Sequence, residues 1–308
     1  MDEINQTTVT FFIIKGISDV PKVQVLIFLL VLLIYLLTLG GNMTILLLVC
    51  LDYHLHNPMY FFLCNLSIVD ICCSTVTLHN ILIMFLTGSD RVSFSTCMAQ
   101  IYFFSSFTAN ELLMLTAMSY DRYMAICKPL HYRVVMRMKN CYALAVSIWA
   151  LTFIDIIPYM VLIAKLSCYK SNVINHFFCD IMFVIKLSCS DTSALDTLFF
   201  TESLFLLSLT PFLLTFISYL FIIATILKIR SSSGRWKAFY TCSSHLTVVV
   251  LLYSTLSCQY LMPIAVGNLD FNKGFSLFNT AAVPILNPII YSLKNEDVKA
   301  ALKRKITL

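Results

Sequence analysis

Residues 97–131 read CMAQIYFFSSFTANELLMLTAMSYDRYMAICKPLH, and this stretch decides the fold. As a helix, Cys97 to Cys127 would span roughly 45 Å at about 1.5 Å per residue. The hydrocarbon core of a bilayer is only roughly 30 Å thick, so a tilted crossing fits. Phe104, Thr108, Glu111, Leu115, Met118 and Arg122 recur at steps of three or four and share one face. A face that begins apolar, holds one acid halfway and ends in an arginine belongs inside a bundle. Charge within a membrane is expensive and turns inward, where it marks a pathway or a switch.

Composition points the same way. The chain has 308 residues, 59% hydrophobic and 12% charged, whereas about a quarter of a soluble domain is charged. Apolar runs able to cross a bilayer lie at about 24–50, 58–86, 97–127, 140–163, 195–227, 237–262 and 271–293. The predicted fold is an all-α membrane protein, a seven-transmembrane helix bundle over 24–293. Residues 1–23 are then an extracellular N-terminus and 294–308 a cytoplasmic tail. The first apolar run is too long for a cleavable signal and lacks a small-residue cleavage site, so it serves as its own insertion signal. In the tail, Val298, Ala301 and Leu302 fall at helical intervals among lysines. That spacing predicts a short amphipathic helix on the inner leaflet.

Charge is consistent with this orientation. With the N-terminus outside, the inner segments hold Arg122, Lys128, Arg133, Arg137, Lys139, Lys228, Arg230, Arg235, Lys237, Lys294, Lys299, Lys303, Arg304 and Lys305. The outer ones hold Lys15, Lys22, Arg91, Lys165, Lys170, Lys186 and Lys273. Fourteen against seven is the positive-inside bias, so the net charge of +5 needs no nucleic acid to explain it. Cys97, Cys168, Cys179 and Cys189 fall outside, where thiols are oxidised. Four cysteines allow three pairings. Asn5-Gln6-Thr7 is a glycosylation acceptor on that side.

A second acid, Asp70 in NLSIVDICC, joins Glu111 in mid-membrane. Two close carboxylates cannot both ionise cheaply in low dielectric. They share a proton, bind a cation, or are satisfied separately by groups such as Asn42 and Asn287. Gly40-Gly41-Asn42 offers close helix contact and an amide that needs an internal partner. No HExxH, GxSxG or comparable motif supports an enzyme. The alternative to a receptor is a transporter or channel using Asp70 and Glu111 as an ion or proton site. Against it, the chain has seven glycines and lacks glycine-interrupted half-helices.

Four further stretches carry a family likeness: LHNPMYFFLCNLSIVD (55–70), MSYDRYMAICKPLHY (118–132), KAFYTCSSHLTVV (237–249) and PILNPIIYSLKNEDVKAAL (284–302). In order and spacing they resemble the odorant (olfactory) receptors, a branch of the rhodopsin-like G-protein-coupled receptors, over nearly the whole chain. Ser119, Tyr240 and Ile285 depart mildly from the family pattern, and Leu252-Tyr253-Ser254-Thr255 replaces its usual Phe-Tyr-Gly-Thr near the expected ligand floor. The resemblance implies a plasma-membrane receptor that binds a small odorant between the outer halves of the helices and activates a stimulatory, olfactory-type heterotrimeric G protein. It implies disulfides Cys97–Cys179 and Cys168–Cys189. It implies a sodium ion held by Asp70 and Glu111, with no other cofactor required. It also implies an inner switch of Asp121, Arg122 and Tyr123, in which Arg122 pairs with Asp121 at rest and turns toward Tyr219 and Tyr291 on activation.

The pocket candidates are Phe104, Ser105 and Thr108 on the third crossing and Leu204, Leu207 and Ser208 on the fifth. Tyr253, Leu256 and Tyr260 on the sixth and Leu277 and Thr280 on the seventh complete the set. None carries a charge. The expected ligand is therefore small, neutral and largely hydrophobic, held by burial and one or two hydroxyl hydrogen bonds.

Overall fold

The structure, a computed structural model, describes residues 9–16, 21–202, 209–260, 269–294 and 296–306. Asn5, Leu204, Leu207, Ser208 and the side chain of Tyr260 lie outside the described residues. Long helices follow the apolar runs: α1 (Pro21–Leu51), α2 (Pro58–Thr87) and α3 (Phe94–Cys127). A short α4 (Pro129–Val135) leads to α5 (Met138–Asp155) and α6 (Ile157–Ala164). The long connection carries α7 (Ile181–Leu187) and is followed by α8 (Ser193–Glu202) and α9 (Thr210–Leu227). Then come α10 (Ser232–Tyr260), α11 (Leu269–Leu277), a π-helical segment Phe278–Ala282, α12 (Val283–Lys294) and α13 (Glu296–Ile306).

Local chemistry sets several helix ends. Asn57 caps α2 by accepting from the Tyr60 amide at 3.3 Å, and Pro58 occupies the first turn, where no amide hydrogen is needed. Gly88 ends α2 in the left-handed region at φ 65° while its N–H reaches Met84 O at 3.0 Å. Pro158 cannot donate to the Ile154 carbonyl, and α5 breaks at Ile156 before α6 begins.

By length and composition, Lys22–Leu51, Pro58–Thr87, Met138–Ala164, Thr210–Leu227 and Ser232–Gln259 can each cross a membrane. Lys273–Tyr291 with Glu296–Lys305, bent by 80°, qualifies as a broken sixth. Helix α3 is less apolar because its inner positions are polar: Gln100, Ser106, Asn110, Glu111 and Ser119 are all buried. It packs against α2, α5 and α9 and is the rod the others surround. The burial pattern is inverted relative to a soluble protein. Leu26, Leu29 and Leu33 on α1 and Phe216, Leu220 and Phe221 on α9 are exposed, while Asn42, Asp70 and Asn110 are buried. Such a surface needs lipid around it.

The contact of α1 with α12 follows from one proline. Pro288 has no N–H, so the Pro284 carbonyl one turn earlier lacks its helical donor. Asn42 Nδ2 supplies that donor from α1 at 3.0 Å. The neighbouring Gly41 permits the approach, because a Cβ there would lie 2.9 Å from Pro288 Cγ.

Two features differ from the sequence expectation. Residues 11–14, within a segment read only as an extracellular N-terminus with no element assigned, form strand β1 (Phe11–Ile14). It pairs antiparallel with β2 (Arg91–Ser93) and parallel with β3 (Val173–Ile174), in the order β2–β1–β3. Four consecutive apolar residues drive this, since Phe12 is fully buried between Phe94 and Tyr169. The second difference concerns the tail. The expected tail helix is present as α13, but its apolar face is turned to the bundle: Val298 and Ala301 are 3% and 0% exposed within the core, and Leu302 alone of the three stays exposed. Polar links fix α13 there. Arg304 Nη2 and Nε donate to Asp52 Oδ2 at 2.5 and 3.0 Å, and the Tyr60 hydroxyl donates to Asp297 Oδ2 at 3.1 Å. Hydrogen bonding from Arg304 holds the Asp52 carboxyl well below the usual carboxylate range.

Gly41→Leu is expected to force α1 from α12 and destabilise the bundle by about 1–3 kcal/mol. A thermal melt of the purified protein in detergent measures it, and an unchanged midpoint would show that the close contact carries no weight.

Candidate functional site

The polar centre lies where α2, α3 and α12 meet. Asp70 and Glu111 are 1% and 6% exposed. Asn287 Nδ2 donates to Asp70 Oδ1 and Oδ2 at 3.1 and 3.0 Å and approaches Glu111 Oε1 at 3.4 Å. One amide therefore bridges both acids, and they are not satisfied separately. Asn42 plays no part here, because its amide is engaged by the Thr38 and Pro284 carbonyls. An amide nitrogen carries two hydrogens, too few for two ionised carboxylates. Ser74 Oγ, one turn from Asp70, and Asn287 Oδ1 are buried without partners. The Tyr291 hydroxyl is buried and unpartnered as well. The cluster thus has spare oxygens and a deficit of positive charge.

At one end of the bundle lies Arg122. The resting pair of Arg122 with Asp121 is not formed. Adjacent helical residues point apart, and the Tyr132 hydroxyl from α4 donates to Asp121 Oδ1 at 2.9 Å. Arg122 Nη2 instead meets Met59 Sδ on α2, and Nε has no partner. The guanidinium lies close enough to Tyr219, Tyr291 and His245 to act on all three electrostatically. Tyr123 packs its ring on Phe221 of α9, with centroids 6.0 Å apart. Sequence reasoning missed His245, although the residue lies inside one of the family stretches. It is 1% exposed; its Nδ1 meets the Tyr219 hydroxyl at 2.7 Å and its Nε2 reaches the Leu115 carbonyl at 3.1 Å. These bonds are satisfied when Nε2 carries the proton and donates to Leu115 while Nδ1 accepts from Tyr219. His245 thereby ties α9, α10 and α3 together.

The opposite end carries the disulfides Cys97–Cys179 and Cys168–Cys189, with Cα atoms 5.4 and 5.2 Å apart. The first fixes the long connection to the start of α3. Gln100, one turn on, clamps it again: its Oε1 accepts from the Cys179 amide at 2.8 Å and its Nε2 donates to Val76 O at 2.6 Å. The loop drives aromatic rings into the bundle. Phe178 meets Phe104 edge-on at 4.9 Å, and both join Phe107, Phe177 and the flank of Leu277 in one cluster.

The pocket candidates therefore separate into layers. Phe104 and Leu277 lie under the loop. Tyr253 and Leu256 pack against the deeper core, with the Tyr253 ring edge-on to Phe212 at 5.4 Å. Ser105 and Thr108 are half-buried on α3. Thr280 does not offer a free hydroxyl hydrogen, because Oγ1 donates to the Ser276 carbonyl at 2.8 Å within its own helix. A buried polar chain went unnoticed in the sequence: Thr255 Oγ1, whose hydrogen is shared with the Leu251 carbonyl at 2.9 Å, lies 3.3 Å from Asn279 Oδ1, and Asn279 Nδ2 donates to Gln259 Oε1 at 3.3 Å. Only the packing of α10 on the seventh crossing makes these residues neighbours.

His176 in the loop is fully buried and ringed by Phe177, Phe178 and Phe183 at 4.5–4.7 Å. Burial, then the charge of Lys273, pushes its ring down to about 3 from the ordinary 6.5. The folded protein keeps it neutral where an unfolded chain would charge it. Its contribution is complete above about pH 6.5 and declines as the pH falls toward 3. The melting midpoint of the wild type is expected to fall more steeply below about pH 6.5 than that of His176→Phe. Parallel slopes would contradict this.

Comparison with known proteins agrees with this architecture. The olfactory receptor family model matches residues 31–307. Olfactory receptor 5AR1 of Mus musculus is 44% identical over 306 residues, covering 99% of this chain and 98% of that protein. Olfactory receptor 6C1 of Homo sapiens is 43% identical over 297 residues, covering 96% and 95%. The chain thus belongs to the olfactory receptor family: it is a multi-pass membrane protein, an odorant-sensing G-protein-coupled receptor and not an enzyme.

Proposed function

We propose that the disulfide end faces outward and takes up a small, neutral, largely hydrophobic odorant, and that the Arg122 end faces the cytosol and activates a stimulatory, olfactory-type heterotrimeric G protein. The aromatic layer under the bridged loop is the observation that carries the first half. Phe104, Phe178 and Leu277 form an apolar layer with no ionised group among its members. Burial of a small ligand there, at roughly 25 cal/mol per Å², supports affinities in the micromolar range or weaker. The excess of basic residues on the Arg122 side and the oxidised cysteines at the other end support the orientation.

Signalling is a shift between two states of the bundle. Among the described residues no carboxylate forms an ion pair with Arg122, and its neighbours Tyr219, His245 and Tyr291 stand on three other helix segments. Movement of α10 would break the Tyr219–His245–Leu115 connection and open the cavity into which a G protein inserts. The prolines of α9 and α12 supply backbone irregularities for that motion.

The polar centre fits a sodium ion. Asp70, Glu111 and Ser74 would hold it, supplying the oxygens a hard cation prefers. Its charge would offset the two acids and favour the resting state.

A broad odorant panel in a cyclic-AMP reporter cell is expected to yield agonists, with the response abolished in Arg122→Ala at equal surface expression. Agonist responses that survive in Arg122→Ala would contradict the assigned switch. Separately, the purified protein is expected to melt higher in sodium than in a bulky organic cation, with the difference lost in Asp70→Asn. Equal sodium dependence in both would remove the ion from the scheme.

A further inference from the structure

Helix α5 carries an acid that neither the switch nor the polar centre uses. Cys141, Ala145, Ile148 and Thr152 form its buried stripe at steps of four, three and four. Asp155 follows Thr152 by three and Tyr159 follows Asp155 by four, so Asp155 continues that stripe. It is half-buried at the last residue before the break caused by Pro158. Its Oδ2 is shut off from solvent and has no hydrogen-bond partner among the described residues. No charged side chain of the described residues pairs with it.

The facing side of α3 is polar and under-satisfied too. Tyr102, Ser106 and Asn110 recur every fourth residue and line one face. That face is turned to α5: the Tyr102 hydroxyl donates to the Phe153 carbonyl at 3.1 Å, and Asn110 Nδ2 donates to Thr152 Oγ1 at 3.3 Å. Between these two ties stands Ser106, which is fully buried with no partner for Oγ. Asn110 Oδ1, also fully buried, lacks a donor as well. Phe103, Phe107 and Phe153 wall this strip with rings.

Carboxylate and amide oxygens only accept hydrogen bonds. Leaving them buried without a donor costs about 1–3 kcal/mol each. In a membrane span no bulk water makes up the deficit. We propose that the polar strip between α3 and α5 at the Asp155 break is a polar subsite of the odorant pocket, selecting ligands whose head group donates a hydrogen bond: a hydroxyl, which keeps the odorant neutral as read above, or in its place a protonated amine, whose charge the Asp155 carboxylate would pair. This rests on the reading of the disulfide end as the odorant site. Asp155 would accept from the head group, Ser106 and Asn110 would complete its shell, and the apolar tail would extend toward Phe104. A carboxylic acid would meet Asp155 as a like charge, and an aldehyde would bring no hydrogen.

The test uses the full-length receptor in the cyclic-AMP reporter cell. Alcohols, primary amines, aldehydes and carboxylic acids of matched carbon skeleton are compared, with surface expression measured by antibody. The expected result is that the alcohol or the amine is at least ~10-fold more potent than its matched aldehyde, the factor that 1.4 kcal/mol represents. Asp155→Leu, which removes the acceptor at similar size, should remove most of that ratio while the aldehyde response persists. Ser106→Ala should narrow it, and serves if Asp155→Leu fails to reach the surface. Whether the alcohol or the amine is stronger distinguishes the two donors. Equal potencies, a ratio untouched by both variants, or an acid as the best agonist would overturn the subsite alone. Silence across the whole panel would overturn the odorant-pocket reading, and the subsite with it.

Discussion

A single amide holds the centre of this bundle. Asn287 on α12 reaches Asp70 on α2 and Glu111 on α3, so three helices meet around two acids that water cannot solvate. Removing such a group would leave buried carboxylates without donors, a far larger penalty than losing an exposed ion pair. The requirement propagates outward. Pro288, next to Asn287, strips the Pro284 carbonyl of its donor, and Asn42 on α1 supplies the replacement. Gly41 then has to be small. A polar need at the core thus fixes the position of a fourth helix.

The two ends are built differently. At the disulfide end the loop is covalently tied, clamped by Gln100 and stitched to the first strand, so its rings can serve as a fixed roof. At the Arg122 end the contacts are replaceable. A hydroxyl caps Asp121, a thioether meets Arg122, and a histidine bridges three helices through two neutral hydrogen bonds. A neutral hydrogen bond contributes about 1 kcal/mol, a strength that a ligand of modest affinity can outweigh. The rigid end suits recognition and the loosely held end suits a switch.

Much of this was legible in the sequence because membrane burial is written in long runs. The apolar stretches located the helices, and Asp70, Glu111 and Arg122 stood out as charges inside them. The four outer cysteines were visible too, but their pairing came from family likeness, since four cysteines alone leave three pairings open. What escaped depends on partners distant in the chain. The strand Phe11–Ile14 is apolar for only four residues, below any useful period. His245 and the Thr255–Asn279–Gln259 chain are ordinary polar residues until packing makes them neighbours. Val298 and Ala301 have the spacing of a leaflet-facing helix, and only the bend after α12 shows that their face is occupied by the bundle. Asp155 also lies inside an apolar run, the fourth, and only the structure shows that its Oδ2 is buried without a partner among the described residues.

The measurement that probes the centre most directly is agonist-stimulated nucleotide exchange on added G protein in membranes, comparing wild type with Asn287→Ala at matched agonist occupancy. With the acids no longer bridged, Asn287→Ala is expected to bind agonist while stimulated exchange is lost. Stimulated exchange at the wild-type level in Asn287→Ala would contradict a coupling that runs through this amide.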